Sequence, residues 1–74
     1  MKQVECLKAV NGDPIELDEL EALASVSDVT LYRSPDGQLF LDAPGVWYLV
    51  ASSEIDGGDY KQFVIDYMDG MEEA

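Results

Sequence analysis

Residues Asp28–Ala51, DVTLYRSPDGQLFLDAPGVWYLVA, decide the fold. Apolar and β-branched runs alternate with two proline–glycine turns, Ser34-Pro35-Asp36-Gly37 and Ala43-Pro44-Gly45-Val46, so the stretch reads as a three-stranded meander. Pro35 fixes the second position of a type I turn, and Gly37 supplies the positive φ of the adjoining glycine bulge. That turn sets Ser34 against Gln38, and therefore Tyr32 beside Phe40 and Leu31 beside Leu41. A two-residue turn at Pro44-Gly45 carries the register onward. One face then holds Val29, Leu31, Leu39, Leu41, Tyr48 and Val50; the other holds Thr30, Tyr32, Phe40, Asp42, Trp47 and Leu49. Large apolar groups stand on both faces, so both need cover.

Working outward, the C-terminal side offers Ser52–Gly58 as a loop and then the clearest helical pattern in the chain. Tyr60, Phe63, Val64, Tyr67, Met68 and Met71 recur at helical spacing from Asp59 onward, with Asp66, Asp69 and Glu73 on the opposite side. Acids in the last turn oppose the helix dipole, a local conflict of the sort found at functional surfaces. On the N-terminal side, residues 2–10, KQVECLKAV, read as a strand ended by Asn11-Gly12, with a short helix as the alternative. Asp13-Pro14-Ile15-Glu16 has the capping signature of a helix start, and Leu17, Leu20, Leu23 and Ala24 fall within one arc. A helix is predicted from Asp13 to about Ser25, exposing Glu16, Asp18, Glu19 and Glu21. The expected fold is a single α+β domain over 1–74, a small antiparallel sheet with two amphipathic helices in the order β-α-β-β-β-α.

Composition bounds the function. The 74 residues carry sixteen Asp and Glu against four Lys and Arg, with no histidine and a formal net charge of −12. Without histidine, no Ser/His or Cys/His pair can be assembled, and an enzyme is not expected. Cys6, the single cysteine, excludes an internal disulfide and reads as a small buried apolar residue. Glu54-Ile55-Asp56-Gly57-Gly58-Asp59 gathers carboxylates around a glycine turn but lacks the order of an EF-hand loop. It reads as a solvated loop whose Asp59 caps the next helix. Neither a metal nor another cofactor is expected. Phosphate backbones and anionic lipids repel such a surface, so direct nucleic-acid and membrane partners are disfavoured. No apolar run has the length of a signal peptide core or a membrane span, which makes a cytoplasmic protein the expectation.

What the charge attracts is a basic protein surface, and many such surfaces exist to hold nucleic acid. By composition, and through the acids Glu16, Asp18, Glu19, Glu21, Asp66, Asp69 and Glu73, the chain resembles small phage-encoded DNA-mimic inhibitors, anti-CRISPR proteins among them. The resemblance implies an inhibitor that occupies the nucleic-acid-binding surface of a target such as a CRISPR effector complex. It would act in the host cytoplasm. In this reading both helices supply acids, and Trp47 and exposed tyrosines serve as desolvated anchors at the contact. The alternative, of a different class, is a bacterial accessory or structural interaction module that homodimerises through Tyr32, Phe40, Trp47 and Leu49, its acids serving solubility.

Overall fold

The computed structural model describes residues 1–72, apart from the side chains of Asp56, Met71 and Glu72. Among these residues, five antiparallel strands and one α-helix run in the order β1 (Lys2–Val4), β2 (Glu21–Val26), β3 (Val29–Arg33), β4 (Leu39–Ala43), β5 (Val46–Val50) and α1 (Tyr60–Glu72). The strands form one sheet of order β1-β5-β4-β3-β2. The fold is α+β.

The central meander has the register that its turns dictate. Tyr32 lies opposite Phe40 and Leu31 opposite Leu41, while Leu41 lies opposite Tyr48 and Ala43 opposite Val46. Gly37 and Gly45 take φ of 90° and 80°, the left-handed conformation each turn requires. The Ser34 amide donates to the Gln38 carbonyl at 2.8 Å and closes the first turn.

α1 lies on one face, over β2 and β3. Its inward side, with Val64 wholly buried, meets Val29, Leu31, Leu39, Leu41 and Val50, and Tyr60, Phe63, Tyr67 and Met68 pack around them. The Tyr67 ring meets Tyr48 edge-on, centroids 5.8 Å apart. Asp59 starts the helix: its side chain accepts the Gln62 amide at 3.2 Å and its carbonyl accepts the Phe63 amide at 3.2 Å.

The helix expected over Asp13–Ser25 does not form. The segment instead makes one 3-10 turn, Leu17–Glu19, and then strand β2. The capping signature is real but serves the short turn, with the Glu16 amide donating to the Glu19 carboxylate at 3.4 Å. Asp13, the expected cap, bonds to Asn11. The helical look of residues 20–24 comes from a β-bulge. The pairing of β2 with β3 shifts between Ala22 and Ala24, and Leu23 and Ala24 both pack on the core. Two consecutive inward residues break the period of two and imitate helical spacing. Ser27, at φ 56°, and Asp28 then turn the chain into β3, with Val26 opposite Val29. The order is therefore β-β-β-β-β-α, with one α-helix among the described residues instead of two.

The first strand is shorter than residues 2–10. It pairs with β5 only from Lys2 to Val4, and Cys6 lies beyond it, exposed rather than buried. In the loop after β5, Ser52–Glu54 and Asp56–Gly58 form 3-10 turns.

Because β1 and β2 occupy opposite edges, residues 5–20 must cross the sheet, and α1 already holds one face. The crossover takes the other. It is pinned to the β3–β4 turn, where the Val10 amide donates to Asp36 Oδ2 at 2.8 Å and Gln38 Nε2 donates to the Lys8 carbonyl at 2.9 Å. Its own backbone closes a small loop, with Ile15 donating to the Leu7 carbonyl and Ala9 to the Asp13 carbonyl. Phe40, on the face away from α1, is only 2% exposed and lines a hollow with Val4, Cys6, Lys8, Ala9 and Leu49. Both apolar faces of the meander are thus covered at their centres, one by a helix and one by irregular chain.

This arrangement predicts that Phe40→Ala costs about 3–5 kcal/mol, comparable with Leu31→Ala on the helix side. Urea unfolding monitored by tryptophan fluorescence measures both. A Phe40→Ala midpoint close to wild type would mean that the second face is open.

Candidate functional site

The acids singled out by charge are dispersed over the fold, and the structure sorts them into different local roles. Glu16, Asp18 and Glu19 sit together on the crossover, at and within the 3-10 turn that precedes β2, and all are exposed. Glu21 opens β2 and is paired: Arg33 Nη2 donates to Glu21 Oε2 at 2.8 Å. That bond and the neighbouring charge raise the Arg33 pKa further. Asp66 and Asp69 lie on the exposed side of α1, where Asp66 accepts Gln62 Nε2 at 2.9 Å. Glu73 lies outside the described residues.

The described acids expected on two helices stand on one helix, on the crossover and, for Glu21, at the start of β2. One acid group rides on irregular chain, the other on a helix. Trp47 does not stand beside the helical acids. It shares a face with its register partners Asp42 and Val4, on the side of the sheet opposite α1, half-buried and tilted against Tyr32 with ring centroids 5.8 Å apart. A flat partner that meets Asp66 and Asp69 therefore cannot also reach Trp47. Of the apolar face assigned to a dimer, Phe40 is already buried within the chain, leaving Tyr32, Trp47 and Leu49 half-buried.

Counter-charges are sparse. Two ion pairs occur among the described residues, Arg33 with Glu21 and the Met1 ammonium with Glu54 at 2.6 Å. Every described carboxylate except Asp42 is exposed. Exposed pairs of this kind contribute little to stability, so the surface is an anionic field with few internal neutralisers.

Two carboxylates of the loop before α1 are occupied within the chain. Glu54 accepts the Ala51 amide at 2.9 Å and the Met1 ammonium, which together hold its pKa below the ordinary value, the ammonium bond most strongly. Asp59 caps the helix. Among the described residues no group of three His, Cys, Asp or Glu stands close enough to hold a metal ion. No described helix is long and apolar enough to cross a membrane.

A polar clamp that charge counting does not single out holds the crossover in place. Buried Ser34 donates its hydroxyl to Asp36 and accepts the Gln38 amide at 3.0 Å. Asp36 in turn accepts Val10 and Gln38 Nε2, so one carboxylate ties the turn to the passing chain. The only foretaste in the sequence is the Ser-x-Asp spacing of the turn itself.

Compared with known proteins, the chain matches no family model, no curated protein and no solved structure.

The clamp makes a prediction about acid. The Ser34 hydroxyl, then the Val10 amide and Gln38, hold the folded Asp36 pKa below its ordinary 3.8. A depressed folded pKa stabilises the fold above the unfolded value, and that contribution is lost as pH falls through the folded one. Asp36→Asn should therefore be less stable than wild type at neutral pH, with the gap closing as pH drops below 3.8. Urea midpoints across that range test it; a gap that stays constant would show that the Asp36 charge is not what ties the crossover down.

Proposed function

We propose that this protein is an anionic binding module that occupies a basic, nucleic-acid-binding surface of a protein target and keeps nucleic acid from it. The observation that carries the reading is the uncompensated charge. Glu16, Asp18, Glu19, Asp66 and Asp69 are exposed, and none has a cationic partner among the described residues. The 3-10 turn of the crossover and α1 hold these carboxylates on a closed core, so they meet a target already positioned. Binding would draw on electrostatic complementarity and on counterions released from both surfaces. The absence of histidine from the composition fits a binder better than an acid–base catalyst. The resemblance to phage DNA-mimic inhibitors adds a CRISPR effector complex as the target class. The mimicry would reside in a helix and a crossover segment, not in parallel helical rows.

Basic proteins retained on a heparin column from a bacterial lysate provide a defined probe. The chain, labelled with a fluorophore on exposed Cys6, should bind this fraction at low salt. Duplex DNA in excess should release it, and affinity should fall at least tenfold, by a rough estimate, between about 50 and about 200 mM NaCl. Absence of binding at low salt, or binding that DNA and salt leave unchanged, would overturn the reading.

A further inference from the structure

The crossover carries a feature that the charge does not account for. Leu17 is 63% exposed and Val10 80% exposed, although the same segment buries Phe40 beneath it. Exposed apolar side chains are ordinary where they are scattered singly; here two fall within one short segment. Leu17 is flanked in sequence by Glu16, Asp18 and Glu19, all exposed. Glu19 also lines a small hollow, whose other walls include Ala9, Pro14, Ile15 and Pro35 together with Asp13 and Asp36. Apolar protrusion, apolar hollow and carboxylates thus occupy one stretch of chain, and that stretch is tethered to the β3–β4 turn through Asp36 and Gln38.

We propose that residues 9–19 are the docking surface, and that they receive an arginine-bearing patch of a basic protein. The chemistry fits that occupant on both counts. Arginine has an apolar stem and a planar, always charged head. The stem would lie against Pro14, Ile15 and Pro35, and the head would meet the carboxylates that line the same hollow. Leu17 would enter an apolar recess of the partner, inside a ring of charges that exclude other partners. A second copy of this chain is a poor occupant, since each copy carries a net charge of −12. An anionic membrane is disfavoured for the same reason.

This inference rests on the proposed function and assigns its contact surface to the crossover. The labelled chain and the heparin-retained fraction separate the two. Leu17→Ser removes no charge and alters an exposed site, so the urea midpoint should stay at that of wild type. Its affinity for the fraction should fall about fivefold or more, from the loss of buried apolar area, while the salt dependence keeps its slope. Val10→Ser should weaken binding in the same manner. If wild type binds and both variants bind equally well, the docking surface is elsewhere and this inference fails while the anionic reading stands. If wild type does not bind, the anionic reading fails first. A wild-type mass that rises with concentration, and returns to monomer in Leu17→Ser, would assign the surface to a second copy and overturn the proposal.

Discussion

Phe40 stands on the face of the sheet that α1 cannot reach, and its burial is the constraint on which the rest of the structure depends. A helix covers one apolar face of the meander; something else must cover the other, or about 2 kcal/mol of burial at this one side chain is forgone. The chain solves this by placing β1 and β2 at opposite edges of the sheet, so that the link between them has to pass over Phe40. The clamp of Ser34, Asp36 and Gln38 then fixes where it passes. In doing so the crossover sets the exposed positions of Glu16, Asp18 and Glu19. The acids are surface features, but their placement is a consequence of the core.

The meander and the last helix could be read from sequence because their signals are local. Pro35, Gly37 and Gly45 permit few turn geometries, and a turn geometry fixes register. α1 announces itself through a long apolar stripe and an aspartate cap. The segment from Asp13 to Val26 could not be read so, because two local signals point to a helix and tertiary pairing overrules both. Its cap closes a single 3-10 turn, and its bulge places Leu23 and Ala24 side by side on the core. An open edge on β3, with backbone groups to satisfy, outweighs a helix propensity spread over few residues. The crossover itself left no trace in the pattern, since it depends on where two distant strands pair.

The same division holds for the candidate site. That Asp66 and Asp69 face solvent could be inferred from the apolar stripe opposite them. That Glu21 is neutralised by Arg33 could not, because the two residues meet only across the β2–β3 pair. The exposure of Leu17 is the sharpest departure: on a helix it would have faced the core with Leu20, whereas the 3-10 turn directs it outward. What a charge count presents as one diffuse property is, in the fold, two separated acid groups, only one of which has an apolar companion.

The most direct test is an NMR measurement on the free protein. Nuclear Overhauser contacts from the Phe40 ring to side chains of residues 6–9, together with slowed exchange of the Val10 amide, are the result expected of a crossover laid over the second face. Sequential amide contacts running continuously through residues 13–25, with the Phe40 ring free of that segment, would signify a second helix and contradict the fold on which the placement of the acids depends.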